Sequence, residues 1–232
     1  GKIAMKVSSD DKLIGVHTCN EKTDDVFLST REGKCLRFFI QDVRKFSGRN
    51  SVGVRGIRLS KEDTVISMYI LKHAKYSTDD RDEYLKVANA IRRKELRRST
   101  PFSKLLKNVK LTEEKFVEME SSEEFILSIA DNGFGKRSSA YEYRITRRGG
   151  QGIANMTLNK KTGNVIGSFP VEEKDDIMLI AGDGKLIRSP VKNIRIAGRT
   201  TQGVTLFKVE KDEKVLSVAT IKDLNLSDEQ TN

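Results

Sequence analysis

The sequence predicts an all-β protein, arranged as a propeller-like array of four-stranded units with a small helical insertion. The main observation is a pattern that recurs about every 50 residues, a period typical of repeat architectures. A second observation is a turn in which an arginine is followed by three residues, a glycine and a β-branched residue. Three copies of this turn occur, at Arg49–Val54, Arg148–Ile153 and Arg199–Val204.

The half of each unit that precedes the turn reads as an apolar strand, a glycine turn and a strand that carries basic residues. Asp131-Asn132-Gly133 and Gly182-Asp183-Gly184 are typical of hairpin turns between such strands. The predicted strand pairs cover residues 25–29 and 33–37, 124–128 and 133–137, and 176–180 and 184–188.

The half that follows each turn predicts two more short strands around a polar turn. These strands cover residues 57–59 and 64–66, 156–158 and 165–167, and 206–209 and 215–218. Glycine adopts positive φ and allows close backbone approach, so glycines are predicted to shape the arginine turns. The predicted structural glycines are Gly53, Gly149, Gly150, Gly152 and Gly203.

Residues 1–19 repeat the same alternation with a period of two, and they also predict two short strands around a polar turn. Gly1 then occupies the place of the turn glycine. Together with the absence of an initial methionine, this indicates a fragment that starts midway through a unit.

Residues 72–122 match no other part of the chain and predict a helical insertion. Ser77-Thr78-Asp79-Asp80 is typical of a helix start, and Tyr84 and Ala88 follow at helical spacing. Residues 112–120 predict a second short helix. We interpret the insertion as a solvated surface element in preference to a dedicated binding element. Basic residues occupy much of the first helix: Lys86, Arg92, Arg93, Lys94, Arg97 and Arg98.

The chain therefore divides into four parts. Repeat units occupy residues 1–71 and 123–221, and the insertion occupies residues 72–122. Residues 222–232 form a polar tail that is predicted to be disordered.

The composition favours a polyanionic partner. The chain has 232 residues, with 43 Lys and Arg against 33 Asp and Glu, and a formal net charge of +10. Such an excess is typical of proteins that bind nucleic acid or an anionic membrane surface; a soluble basic protein without such a partner is the alternative. No apolar run approaches the roughly 18 residues of a membrane span, and no signal peptide is visible. We predict no membrane association and a cytoplasmic location.

The sequence predicts neither a metal site nor a cofactor site. Cys19 and Cys35 form no close pair, and with two histidines they do not suggest a four-ligand zinc site. We interpret them as buried, reduced thiols of a cytosolic protein.

The residues that suggest catalysis have simpler interpretations. The paired acids Asp24-Asp25, Glu172-Glu173 and Asp175-Asp176 precede strands, which indicates solvated turn residues. Tyr141 and Tyr143 are interpreted as alternating aromatic residues on a strand face, in preference to a tyrosine nucleophile. We predict no catalytic residue in this chain.

Basic residues recur at equivalent places of successive units. Equivalent positions of neighbouring blades lie side by side, so they predict a continuous, exposed positive stripe that tracks a phosphate backbone without reading bases. Exposed strands that merely favour long polar side chains would carry a mixture of Lys and Glu instead. The predicted contacts are Lys34, Arg37, Arg44, Arg49, Lys136, Arg137, Arg144, Arg147, Arg148, Lys185, Arg188, Arg195 and Arg199.

Three stretches resemble the C-terminal domains of bacterial DNA gyrase A. They are residues 51–59 (SVGVRGIRL), 132–137 (NGFGKR) and 199–204 (RTTQGV). The resemblance covers residues 1–71 and 123–221, and the insertion is similar to those of alphaproteobacterial gyrases. It implies a β-pinwheel, a disc of four-stranded blades that exchange strands with their neighbours. About half of the usual blades are present, so we expect a partial β-pinwheel.

The resemblance also implies a function. Duplex DNA bends around the basic rim of such a domain, and this wrap supports negative supercoiling by the whole enzyme. DNA cleavage and ATP hydrolysis belong to other parts of gyrase, so this fragment is expected to be non-catalytic. The implied partners are double-stranded DNA, the remainder of gyrase A and, through it, gyrase B.

One departure from the family concerns residues 146–152. Their sequence TRRGGQG resembles the family's signature box Q-R-R-G-G-K-G, with Thr for Gln and Gln for Lys, but it lies in the penultimate unit. We interpret it as the equivalent loop of that blade.

Two alternatives stay open. The related subunit of topoisomerase IV has a C-terminal domain of similar fold. A propeller scaffold for protein partners would show aromatic-rich exposed faces, whereas this chain has 6% aromatic residues.

Overall fold

The computed structural model describes residues 1–93, 101, 104, 109–210 and 213–222, and it shows three sheets and two helices in them. We call the three sheets the first, second and third blade. The all-β prediction with a helical insertion is confirmed. The long strands are β1 (Asp24–Thr30), β2 (Lys34–Phe39) and β3 (Val65–Lys72) in the first blade, β4 (Phe125–Ala130), β5 (Phe134–Ser139) and β8 (Val165–Val171) in the second, and β9 (Asp176–Ala181), β10 (Leu186–Pro190) and β12 (Val215–Ile221) in the third.

The three blades share one strand order, in which the first strand of the hairpin lies in the middle: β3-β1-β2, β8-β4-β5 and β12-β9-β10. The strands β3, β8 and β12 form the inner edges of neighbouring blades. For example, Ser168 N donates to Ser67 Oγ at 3.1 Å, and the rings of Tyr69 and Phe169 lie 5.9 Å apart. The strands β2, β5 and β10 therefore form the outer edges.

The outer edges of the first two blades are completed by the following repeat unit. Two short strands, β6 (Ile145–Thr146) and β7 (Ile153–Ala154), pair with β2, and β11 (Val204–Thr205) pairs with β5. A blade is therefore not one repeat of the sequence, because each of these arginine turns lies on the blade of the preceding unit.

The predicted strands at 57–59, 156–158 and 206–209 are wrong. In the second and third units the pairing occurs directly after the turn glycine, and in the first unit residues 51–60 form no strand. Gly152 has a φ of 75°, and a Cβ there would lie 2.6 Å from the Cys35 carbonyl oxygen. After this close approach the chain leaves the sheet. The backbone N–H of Met156 donates to the Gly33 carbonyl at 3.3 Å, and the Met156 side chain is buried.

The two strands predicted in residues 1–19 are also absent, since this segment forms no strand. In later units the residues at equivalent places pair with strands of a described sheet, whereas residues 1–19 join none of the three sheets. The segment instead lies against the first blade, with the His17 ring 4.9 Å from that of Tyr69.

The insertion forms two capped helices. The first, α1 (Thr78–Arg92), begins with a capping box between Ser77 and Asp80, and the second, α2 (Glu113–Ser121), is capped by Thr112. Both predicted helices are confirmed. The predicted basic residues Lys94, Arg97 and Arg98, and residues 223–232 of the tail, lie outside the described residues.

The helices have their own apolar core, which joins the second blade. Tyr84 is 0% exposed, and its ring lies 5.4 Å from that of Tyr141 at an angle of 84°. Tyr141 belongs to a 3-10 turn at 140–142, and Tyr143 follows it. The tyrosine pair therefore does not lie on a strand face, as the alternation suggested, but anchors a turn against the insertion and the blade core.

We expect a chain without residues 74–121, joined by a short flexible linker, to keep a cooperative thermal melt. The two ends of the insertion lie next to each other on the β structure. The hydrogen bond that Lys72 N donates to Glu124 Oε2 at 2.9 Å shows this. Exposure of Tyr141 should lower stability by about 2 kcal/mol. Circular dichroism melts of the deletion, with and without Tyr141→Ser, measure this, and a non-cooperative melt in both would show that the insertion is part of the β core.

The cysteines differ from the prediction. Cys35 is buried, and burial raises its pKa to about 12, but Cys19 is exposed. Cys35 lies in the interface that β7 covers, whereas Cys19 lies in the segment without strands. Among the described residues, no helix is long and apolar enough to cross a membrane, and no group of three or more potential metal-ligating side chains is present.

Candidate nucleic-acid interface

The pairing register decides which basic residues are equivalent. Arg37, Arg137 and Arg188 all lie four residues after the positive-φ glycine of their hairpin, opposite Phe27, Leu127 and Met178. Lys136 does not match Lys34 and Lys185. The residue equivalent to those two lysines is Phe134, whereas the equivalents of Lys136 are Leu36 and Ile187.

Arg37 is buried, in contrast to the predicted exposed stripe. Its Nε donates to Asp25 Oδ2 at 2.8 Å, with both side chains at most 1% exposed. The other guanidinium nitrogens donate to the carbonyls of Lys72 at 2.6 Å and of Ala140 at 2.9 Å. Since Ala140 belongs to the 3-10 turn of the second blade, Arg37 ties two blades together.

Arg137 repeats this arrangement one blade further on. It is 4% exposed, and its Nε donates to the Ile194 carbonyl at 2.8 Å, next to the 3-10 turn of the third blade. Phe125 takes the place of the acid, with the guanidinium 5.9 Å from its ring centre. Arg137 is therefore a second clamp between blades and does not belong to an exposed stripe.

Arg188 occupies the same place in the third blade, but no further blade follows it among the described residues. Its side chain is 63% exposed and pairs with Asp176 at 2.6 Å. The same residue at the same repeat position is thus buried or exposed depending on whether another blade covers it.

The acidic partners were not identified from the sequence. Asp25 and Asp175 are 0% exposed and Asp24 is 4% exposed, so these residues are not solvated turn residues. Asp175 Oδ2 accepts from Glu172 N at 2.8 Å and from Lys222 Nζ at 2.7 Å. A signal for Asp25 was present in the sequence: an Asp two residues before the residue opposite the Arg recurs in the third hairpin, as Asp176.

The arginines that open the second and third turns bind backbone carbonyls of the preceding unit. Arg148 Nε donates to Asp42 O at 2.8 Å, and its Nη1 donates to Arg55 O at 3.1 Å. Arg199 makes the equivalent bonds, to Glu142 O at 3.2 Å and to Ala154 O. Both side chains are partly exposed, so each guanidinium shapes the turn while part of it faces solvent.

Lys136 is a buried cation in the interface between the first and second blades. It is 0% exposed, and its Nζ donates to the carbonyls of Gly198, at 2.8 Å, and of Arg199. Burial lowers the pKa of Lys136 to about 7; Glu142 opposes this shift and Arg199 adds to it. This lysine holds the third arginine turn and is not exposed at the surface.

We expect Lys136 to make stability rise with pH between about 7 and 10.5. In this window the unfolded chain binds a proton at this lysine that the folded chain does not bind, so raising the pH favours the folded state, by up to about 1.4 kcal/mol per pH unit. Urea unfolding between pH 7 and 8 measures this, because the Cys35 thiol, whose ordinary pKa of 9.0 is raised in the folded state, stays largely protonated in both states there. In Lys136→Met the rise of stability with pH should be absent. If the variant and the wild type showed the same slope of unfolding free energy against pH, the lysine would stay charged in the folded protein.

The cations that remain exposed lie along the outer edges of the blades. Arg44, Arg144 and Arg195 follow the 3-10 turns, and after Arg144 and Arg195 the chain crosses to the preceding blade. Lys185 and Arg188 are also exposed, but Asp183 and Asp176 pair with them at 2.7 and 2.6 Å. Six of the predicted contacts are exposed and have no carboxylate partner within the described ranges, and we call them the rim cations: Lys34, Arg44, Arg49, Arg144, Arg147 and Arg195.

Four of the five predicted structural glycines have a positive φ, and Gly150 does not. Gly53, Gly149, Gly152 and Gly203 have φ values between 75° and 79°. Gly149 N donates to Gly56 O at 2.5 Å, and Gly150 O accepts from Arg58 N at 2.8 Å. The second arginine turn is therefore held on both sides, by the outer strand of the first blade and by the chain around residue 57.

Comparisons with known proteins agree with this architecture. The sequence profile of the family described as DNA gyrase C-terminal domain, beta-propeller, matches residues 1–20, 24–72, 124–172 and 175–222. The DNA gyrase A protein of Rickettsia felis is 49% identical over 229 residues, which is 99% of this chain and 25% of that protein. The gyrase A protein of Granulibacter bethesdensis is 44% identical over 94% of this chain and 24% of its own length. The chain thus spans about a quarter of these curated relatives.

Solved structures share the fold. A DNA gyrase A C-terminal domain superposes with a TM-score of 0.64 at 19% identity, over 96% of this chain and 58% of that one. A DNA topoisomerase IV C-terminal domain gives 0.66 at 19% identity, over 94% and 53%. The pinwheel prediction is confirmed. With its four matched segments, its exchanged strands and its recurring arginine turns, the chain belongs to the family of DNA gyrase A C-terminal domains.

Proposed function

We propose that this chain binds duplex DNA without sequence preference along the outer edges of its blades and bends it there. The single observation that carries the proposal is the row of rim cations, three of which recur directly after the 3-10 turns of successive units. Cations without a carboxylate partner are free to neutralise phosphates. Membership of the gyrase family supports the same ligand.

Within a longer gyrase A protein, this activity would supply the DNA wrap that supports supercoiling. The rest of gyrase A and, through it, gyrase B are the proposed partners, in the cytoplasm. The fragment contributes no catalytic residue in this proposal. A topoisomerase IV assignment is less favoured, because the sequence relatives are gyrase A proteins whereas the topoisomerase IV structure shares the fold at 19% identity.

A protein-binding propeller is the less supported alternative. Among the described residues, the large exposed apolar side chains are mainly aliphatic, with Phe46 as the aromatic exception. Such a surface lacks the aromatic anchors that are typical of protein interfaces.

We expect the logarithm of DNA affinity to fall linearly with the logarithm of salt concentration, by about 0.9 per phosphate contacted. Arg144→Ala and Arg195→Ala should each reduce the slope by about one and weaken all duplexes alike. Fluorescence anisotropy with random-sequence duplexes measures both quantities. Lys86→Ala on α1 is the matched control, since this exposed lysine pairs with Glu83 in the insertion. A flat salt response, or strong preference for one sequence, would refute the proposal.

A further inference from the structure

A groove of about 320 Å³ separates helix α1 of the insertion from the second blade and opens to solvent. We call it the insertion groove. Three arginines from separate parts of the chain line it: Arg81 of α1, Arg144 after the 3-10 turn of the second blade, and Arg199 of the third arginine turn. We propose that the insertion groove binds a phosphate of the DNA backbone, so that the insertion extends the DNA-binding rim.

Arg81 is the residue that points to a ligand. It is 6% exposed, yet its Nη1 is buried without a hydrogen-bond partner among the described residues. Its Nε and Nη2 donate over long distances, each of 3.3 Å, to Ser77 O and to Thr78 Oγ1. The guanidinium is therefore held weakly, and a buried donor without an acceptor is costly. An anion in the groove would supply the missing acceptor.

The contrast with Arg37 shows what Arg81 lacks. All three guanidinium nitrogens of Arg37 have acceptors, and one of these is the carboxylate of Asp25. Neither hydrogen bond of Arg81 within the described ranges goes to a carboxylate. Burial lowers the pKa of Arg81 and the charge of Arg37 adds to this shift, while Asp82 and Asp25 oppose it without cancelling it. The surroundings of Arg81 therefore favour a further negative charge.

The other two arginines are available to the same ligand. Arg144 is exposed and is one of the rim cations, so the groove continues the proposed path of the DNA. Arg199 uses Nε and Nη1 for the carbonyls of Glu142 and Ala154, and in the part of the chain that the structure describes its Nη2 makes no hydrogen bond. Planar guanidinium groups from several directions suit the oxygens of one phosphate.

The other polar groups of the groove are compatible with an anion. The Glu142 carboxylate is already engaged, since its Oε2 accepts from Arg199 N at 2.6 Å, and burial raises its pKa. Asn89 Oδ1 accepts from Arg92 Nη1 at 3.2 Å, which leaves the amide nitrogen of Asn89 as a donor. Asp82 is exposed and would repel a phosphate, which provides a separate test.

This inference rests on the proposed DNA binding and adds a contact that lies outside the repeat units. It also differs from the interpretation of the insertion as a solvated surface element, because α1 would form one wall of a DNA contact. The same chemistry would accept inorganic phosphate, but the continuity of the groove with Arg144 favours DNA as the source.

The first test is the DNA affinity of Arg81→Met, measured by fluorescence anisotropy over a range of salt concentrations and accompanied by a thermal melt. Affinity should fall about tenfold and the salt slope by about one, because one phosphate contact is lost. The melting temperature should change little, since methionine replaces a buried cation that lacks a charged partner. Lys86→Met, on the same helix but outside the groove, should leave the slope unchanged. A lower melting temperature with an unchanged slope would show that Arg81 is structural and would overturn the proposal.

Two further arms separate this proposal from the proposed function. Arg195 lies outside the groove, so a slope that falls in Arg195→Ala but not in Arg81→Met would retain the rim and reject the groove. A wild type that does not bind duplex DNA would reject both.

Inorganic phosphate at constant ionic strength tests the other source. If phosphate raised the melting temperature of the wild type but not of Arg81→Met, and both proteins bound DNA equally, the groove would be a site for free phosphate and its assignment to DNA would be wrong.

A pair of aspartate variants tests the groove should Arg81→Met fail to fold. Asp82→Asn removes the exposed carboxylate from the groove and should strengthen DNA binding about threefold at low salt. Asp79→Asn removes another exposed aspartate of α1 that lies outside the groove, and it should leave the affinity unchanged. Equal effects of the two substitutions would mean that the net charge of the insertion, and not the groove, controls the affinity, and would overturn the proposal.

Discussion

Gly152→Val should lower the free energy of unfolding by about 3 kcal/mol or more. Gly152 has a φ of 75°, which a β-branched residue adopts only with strain, and a Cβ there would lie 2.6 Å from the Cys35 carbonyl oxygen. The clash separates β7 from β2, so the first blade loses its fourth strand. Urea unfolding measures the change, with DNA affinity expected to fall only as far as folding does.

Gly184→Val is the matched control for this prediction. Gly184 has a similar φ of 83°, but a Cβ there would meet nothing within 4 Å. This variant should show the conformational strain alone, about 1–2 kcal/mol. Equal losses in the two variants would mean that the close approach of the arginine turn contributes nothing to stability.

Arg37→Met should destabilise the protein by about 3–5 kcal/mol, because it leaves the buried carboxylate of Asp25 without its guanidinium partner. The carbonyls of Lys72 and Ala140 lose their donor as well, so the first two blades separate more easily. Chemical unfolding gives the loss. At a temperature where the variant is folded, its DNA affinity and salt slope should equal those of the wild type.

Arg188→Met tests the same repeat position where no blade covers it within the part of the chain that the structure describes. Its exposed ion pair with Asp176 is worth about 0–1 kcal/mol, so stability should barely change. If Arg37→Met instead folded normally and bound DNA more weakly, Arg37 would return to the set of phosphate contacts.

Local signals in the sequence were sufficient for the long strands, the hairpins and the helices. Alternating apolar residues and turn glycines marked the hairpins, and Ser77-Thr78-Asp79-Asp80 marked the start of α1. These features depend on neighbouring residues and on backbone preferences, so a single chain displays them. The recurrence of the arginine turn likewise revealed the repeat, and the resemblance of three stretches to gyrase A C-terminal domains indicated the family.

Local signals did not show which basic residues are equivalent between repeat units. Lys136 looked like another copy of Lys34, but the pairing register makes it equivalent to Leu36. The acids were misjudged for the same reason, because Asp25 is buried by β-strands that are distant in sequence.

By itself, the sequence determined the repeat, its turns and the excess of positive charge, since these are properties of composition and local spacing. Only the tertiary structure decided which cations face solvent. Arg37 and Arg188 occupy one place in the repeat, yet one is buried and the other is 63% exposed. The reason is physical: burial depends on whether a neighbouring blade supplies the carbonyls and carboxylate that replace water around a guanidinium.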